Sequence, residues 1–204
     1  MHDRIAQWLN SKPDTEVSAL PMSAGDYRLN PTAPVRTGYT QAAVLVPLVD
    51  RPEGMTVLLT LRTEHLNDHA GQVSFPGGRV EPSDRSTIET ALRETEEEIG
   101  VGRQHIQVLG YLDRYRTVTG FDIEPVVGVV TPGFTLKPDP FEVAEIFEVS
   151  LELVLCEESF RRETLLHKGC ERHFYEIPHK RHHIWGATAG ILRTLCLRAQ
   201  ATVG

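Results

Sequence analysis

Three carboxylates on one helical stripe are the strongest chemical signal in this 204-residue chain. Glu94, Glu97 and Glu98 are spaced i, i+3 and i+4. Counting roughly 100° per residue from Glu94, they fall near 0°, 300° and 40°, while Ile88, Leu92, Thr95 and Ile99 gather at roughly 100–160° as an apolar stripe. Carboxylates so placed repel one another by a few tenths of a kcal/mol per pair. At the C-terminal end of a helix they also face the negative end of the macrodipole. A compensating cation is expected, and clustered carboxylate oxygens are what hard divalent ions select. Arg93, four residues before Glu97, can orient it by a side-chain pair. A solvated acidic face is the alternative reading, and it is the one given to Glu96, on another side of the helix.

The helix that must carry these groups is bounded by its own signals. Ser86-Thr87-Ile88-Glu89 is a capping box, in which Ser86 caps and Glu89 reaches back. Gly100 stands where a left-handed residue ends the helix. Residues 1–12 read as an amphipathic helix with Ile5, Trp8 and Leu9 on one side, and 13–40 as a loop-rich arm. From there to residue 204 the chain reads as the main domain. Residues 42–49 and 55–61 are β-prone runs around a turn and predict a hairpin. Residues 63–83, punctuated by Gly and Pro, predict an irregular segment. Strands are expected at 106–112, 123–130, 143–149 and 172–177, a Pro/Gly loop at 131–140, and helices at 151–156 and 187–197. Strands with interspersed helices predict an α/β fold whose sheet is covered on both faces.

Composition narrows the class. Hydrophobic residues make up 40%, charged 24% and aromatic 7%, as in ordinary globular domains. No apolar run reaches the roughly 18 residues that span a bilayer, so no membrane role is expected. The start lacks a basic stretch followed by an apolar one, and the end carries no address tag, which predicts a cytoplasmic protein. Cys156, Cys170 and Cys196 are odd in number and far apart, against a disulfide framework. With 21 basic and 28 acidic residues the net charge is -7, which argues against a nucleic-acid partner. The run His179-Lys180-Arg181-His182-His183 is read as a surface loop, because no cysteine or carboxylate stands at a structural-zinc spacing; attraction of an anionic nucleotide is the other reading. Trp185 is a core aromatic or an adenine-stacking residue.

Residues 78–101 resemble the Nudix box, G-x5-E-x7-R-E-U-x-E-E-x-G-U with U aliphatic. Arg93 through Val101 match its right half, except that Thr95 replaces an aliphatic residue. The left half is one residue longer, and its acidic position is Asp84. That spacing is similar to the coenzyme A pyrophosphatase branch. So is the upstream segment, Leu58-Leu59-Thr60-Leu61-Arg62 followed by Gly71-Gln72-Val73-Ser74-Phe75-Pro76-Gly77-Gly78. Thr63 and Asn67 depart from that branch, which has Ser or Ala and Arg there. Shorter matches at Thr119-Gly120-Phe121, Glu124-Pro125, Glu142-Val143-Ala144-Glu145 and Ile184-Trp185-Gly186 extend the resemblance over roughly residues 40–192.

The resemblance implies a Nudix-type α/β/α sandwich with a mixed sheet, and hydrolysis of a nucleoside diphosphate linked to another group. For the coenzyme A branch the products are 4'-phosphopantetheine and adenosine 3',5'-bisphosphate. It implies Mg²⁺ or Mn²⁺ on Glu94 and Glu98, with Glu97 a third ligand or the general base and Glu142 or Glu145 the other candidate base. Arg62 becomes a phosphate clamp, Gln72 and His69 substrate contacts or loop braces, and Gly77 and Gly78 a close backbone approach. Asp84 caps or braces the loop, or is simply a turn residue. The partner expected is a small nucleotide of coenzyme A type, and a homodimer is left open. ADP-ribose or another nucleoside diphosphate is the alternative substrate, and a silent ligand sensor the alternative from another class.

Overall fold

The two faces of a sheet strand can be read from what each side chain buries against, and the central strand here does this at every step. In the computed structural model, which describes residues 2–12, 25–66, 69–167, 169–179 and 181–202, that strand is β1 (Thr40–Val49). Before it comes a short helix, α1 (His2–Ala6); after it come β2 (Thr56–Arg62), β3 (Val73–Ser74), β4 (Gly77–Arg79) and the helix α2 (Thr87–Ile99). The chain continues through β5 (Ile106–Tyr111), β6 (Tyr115–Arg116), β7 (Phe121–Val130), β8 (Val143–Ser150) and α3 (Leu151–Leu155). It ends with β9 (Arg161–His167), β10 (Cys170–Pro178), β11 (His183–Trp185) and the helix α4 (Gly186–Ala201).

β1 and β7 run parallel from Thr40 opposite Phe121 to Val49 opposite Val130. Every other pairing is antiparallel, so the sheet is mixed. Val46 and Leu48 share one apolar cluster with Ile191, Leu192 and Leu195 of α4. Ala43 and Leu45 pack with Ala91 of α2, and Val49 with Ile99. The period-two alternation of the strand thus feeds two helical layers, the α/β/α arrangement expected. β9, β10 and β11 form a separate three-stranded sheet. Among the described residues no helix is long and apolar enough to cross a membrane.

Several expectations are corrected. The first helix stops at Ala6, because the N–H groups of Trp8 and Leu9 close tighter turns on Ile5 and Ala6 and Asn10 then bridges to Tyr111. The segment 63–83 holds two short strands; β4 forms by pairing Gly77 to Arg79 against Val44 to Ala42. The strand β9 was not foreseen. The arm is described from residue 25, where the buried Asn30 exchanges hydrogen bonds with the His173 backbone at 2.8 and 2.9 Å. Asp26 accepts from the Tyr115 hydroxyl at 2.7 Å and the Val118 N–H at 2.9 Å.

Candidate active site

The acidic helix is built as its sequence requires. Ser86 caps it by accepting from the Glu89 N–H at 3.3 Å, and Gly100, left-handed, closes it by donating to the Glu96 carbonyl at 3.0 Å. Glu89 does not complete a reciprocal box: its carboxylate is turned to Arg103 at 3.5 Å. Ala91, Thr95 and Ile99 are buried against the sheet, while Ile88 and Leu92 are only partly covered. Thr95 fits its apolar position by returning its hydroxyl to the Ala91 carbonyl at 2.6 Å. Glu96 is exposed, as expected.

The helix presents its carboxylates to two different arginines. Arg93 holds Asp84 through two hydrogen bonds, and also reaches Glu94 at 2.9 Å and Glu97 at 3.1 Å. Asp84 is further bound by the Glu81 N–H and the Thr90 hydroxyl, at 2.9 and 2.8 Å. Arg93 and these bonds hold the Asp84 carboxyl well below the usual carboxylate range. Three of these bonds, two from Arg93 and one from Thr90, clasp the glycine-rich segment to the helix, and the fourth, from Glu81, closes the loop on itself.

The second arginine, Arg62 at the end of β2, lies 3.9 Å from Glu98 Oε1 and 3.9 Å from Glu142 Oε2. Glu98 is almost fully buried, and its other oxygen faces the Gly77 N–H at 3.4 Å. Burial pushes its carboxyl up to about 8, with Glu142 and Glu94 adding to the rise and Arg62 opposing it. Glu94 is also raised, again by burial first, against the pull of Arg93. A buried carboxylate this poorly compensated is a place where added positive charge would be stabilising.

Glycines let the strand β4 approach these groups. A Cβ on Gly78 would lie 2.5 Å from the Glu94 carboxyl carbon, and one on Gly77 would lie 2.6 Å from the Val44 Cα. Glu142 is delivered by the Pro/Gly loop before β8. That loop docks on the end of α2, where Lys137 and Asp139 donate to the carbonyls of Ile99 and Glu98 at 2.9 and 2.8 Å, which helix geometry leaves unpaired.

Glu94, Glu98, Glu142, Arg62, Gly77 and Gly78 therefore surround one space. Glu97 is the outlier of the stripe: its side chain is 59% exposed and tied to Arg93. Gln72 is engaged with His69 at 3.0 Å, the loop-brace alternative, and Asn67 lies outside the described residues. Glu145 points elsewhere, toward Arg181 at 3.4 Å and His182 at 3.5 Å. In the basic run Arg181 and His183 are exposed, as a surface segment requires, while His182 is buried and stacks on Phe147 with ring centroids 3.8 Å apart; Lys180 lies outside the described residues. Trp185 packs between Phe174 and His183. Sequence reasoning missed the docking of the loop on α2, whose only signal was Asp139 between Pro138 and Pro140.

Among the described residues no three acidic, histidine or cysteine side chains already converge as a closed metal cage. The donor set itself, carboxylate oxygens beside an under-compensated buried glutamate, fits a hard divalent ion.

A mixed sheet flanked by a glutamate-bearing helix and a glycine strand defines a recognisable class, and the comparisons agree. The NUDIX domain matches residues 39–168. The chain is 43% identical over 159 residues to "Uncharacterized Nudix hydrolase NudL" of Photorhabdus laumondii, covering 78% of this chain and 84% of that one. It is 39% identical over 160 residues to the protein of the same name from Escherichia coli K12, covering 78% and 83%. A crystal structure of a MutT protein from Methanosarcina mazei is similar at a TM-score of 0.47 and 25% identity, over 60% of this chain and 84% of that one. The chain belongs to the Nudix hydrolase family.

Proposed function

We propose that this protein is a divalent-metal-dependent pyrophosphohydrolase acting on coenzyme A or its derivatives, giving 4'-phosphopantetheine and adenosine 3',5'-bisphosphate. The observation that carries the reading is the meeting of the buried Glu98 with Glu94, Glu142 and Arg62 around the backbone of Gly77 and Gly78. The upstream Leu58 to Gly78 motif supports coenzyme A within the family's range of nucleoside diphosphate derivatives.

Glu94 and Glu98 would hold Mg²⁺ or Mn²⁺, with Glu97 able to join them by leaving Arg93. The ion would supply neutralisation of the diphosphate and acidification of a bound water. The chain's own groups do the rest. Arg62 binds a phosphate oxygen, as a guanidinium suits. Gly77 lets β4 pack against β1, and Gly78 leaves the Glu94 carboxylate room beside the strand, where a Cβ would displace it. Glu142 takes the proton of the attacking water at its carboxylate, with Arg62 3.9 Å away. Arg93 aligns Glu94 and Glu97 and anchors the helix to the loop through Asp84.

Phosphorus NMR of coenzyme A incubated with the protein and Mg²⁺ or Mn²⁺ tests this. Loss of the diphosphate resonances with appearance of two phosphomonoester products is expected. Intact coenzyme A alongside cleaved ADP-ribose would move the activity to the other substrate.

A further inference from the structure

Beside the carboxylates stands a side chain that metal binding and hydrolysis leave unexplained. Phe141 immediately precedes Glu142 and is 64% exposed. The other large hydrophobic residues left in water among those described are aliphatic: Val35, Leu136, Leu165 and Leu166. Phe141 is held in place at its backbone. Its N–H donates to Asp139 Oδ1 at 2.8 Å, and its carbonyl accepts from the hydroxyl of the buried Thr63 at 2.7 Å. The Thr63 N–H in turn donates to the Glu142 carbonyl at 3.0 Å. Its ring meets the exposed His65 imidazole at 4.7 Å between centroids, tilted by 60°. The residue following Arg62 thus fixes the backbone on the carbonyl side of this ring, and Asp139 fixes it on the amide side.

Resting on the diphosphate-cleaving reading above, we infer that Phe141, backed by His65, is the surface on which the aromatic base of the nucleotide half stacks. A diphosphate gripped at Arg62, beside Glu142, carries its nucleoside outward from the carboxylates. The ring at the start of that path offers a π-face and no hydrogen-bonding group. Such a face holds any base by stacking and excludes water from it. Phe141 is therefore a specificity-determining residue for the presence of a base and is not a catalytic one. Thr63, which departs from the branch pattern, acts here as the brace that sets the ring.

Calorimetric titration of the Mg²⁺-loaded protein with the two products separates the halves of the substrate. The F141A variant should bind adenosine 3',5'-bisphosphate at least about fivefold more weakly, and 4'-phosphopantetheine with little change. With coenzyme A as substrate, KM should rise while kcat holds. F141W should keep wild-type affinity, and its added fluorescence should be quenched by the adenine nucleotide. Unchanged affinity for adenosine 3',5'-bisphosphate in F141A, or weakening toward 4'-phosphopantetheine instead, would overturn the assignment. Should the parent protein leave coenzyme A intact, titration with ADP still decides: weakened binding in F141A with quenching in F141W keeps the stacking surface and discards the substrate, and neither effect discards Phe141.

Discussion

The Arg93 guanidinium meets the Asp84 carboxylate edge to edge, Nε to Oδ1 at 3.1 Å and Nη2 to Oδ2 at 3.0 Å. The Asp84 side chain is only 5% exposed and that of Arg93 20%, so the pair is largely withdrawn from water. Removing Asp84 takes away two charged hydrogen bonds of Arg93, which Glu94 and Glu97 then offset only in part. D84N should lower the free energy of unfolding by about 2–4 kcal/mol in urea titrations. Turnover should fall with it, because the helix and the glycine strand lose their clasp. A D84N protein as stable as the parent would show that the pair is dispensable.

Metal binding is testable without turnover. Mn²⁺ at a hundred times its dissociation constant should stabilise the fold by about 2.7 kcal/mol, read as a rise in Tm. E98Q should abolish that rise and reduce kcat by about 100-fold or more. Without metal, E98Q should be no less stable than the parent, since a neutral group replaces a buried carboxylate. An undiminished Mn²⁺ shift in E98Q would remove Glu98 from the ligand set.

Gly78 faces the Glu94 carboxyl so closely that alanine must displace it. The flexible Glu94 side chain can yield at the expense of its bond to Arg93, so G78A should still fold, with a loss of about 1 kcal/mol. Its kcat/KM should nevertheless fall by about 10- to 100-fold, as expected for a displacement of about an ångström at a reacting centre. Equal activity in steady-state assays would free Glu94 from its assigned role.

A pH effect is expected at a site remote from the chemistry. Glu148 accepts from Arg51 and from the Thr56 hydroxyl, both at 2.5 Å. Burial opposes its ionisation, but these two partners outweigh it and the carboxyl lies below its ordinary 4.5. A depressed folded value contributes stability that is complete above the unfolded pKa and is lost as pH falls through the folded one. With both side chains partly in water, E148Q should cost about 1 kcal/mol at pH 7. The deficit should shrink below pH of about 4. Urea midpoints at the two pH values check the sign.

The legible parts of this molecule were those set by local rules. The ends of α2 follow from Ser86 and Gly100, and the two faces of β1 from alternating apolar residues, so neither depends on distant partners. What stayed hidden depends on them. Gly77-Gly78-Arg79 has loop composition and becomes a strand only because Ala42 to Val44 offer it hydrogen bonds. Arg161 to His167 alternates no apolar face and exists as a strand by pairing with β10. Glu142 and Glu145 look equivalent in sequence. The loop docked on α2 brings Glu142 beside Arg62, while Glu145 turns to Arg181 and His182.

The long parallel pairing of β1 with β7 governs how the chain must be born. Its partners are separated by the whole of α2 and the glycine segment, so the pairing must close a long loop, which slows folding. While residues 121–130 are still inside the ribosome, the apolar run from Val44 to Val49 has no central neighbour. The order of synthesis thus leaves one long edge of β1 unpaired until residue 130 has emerged.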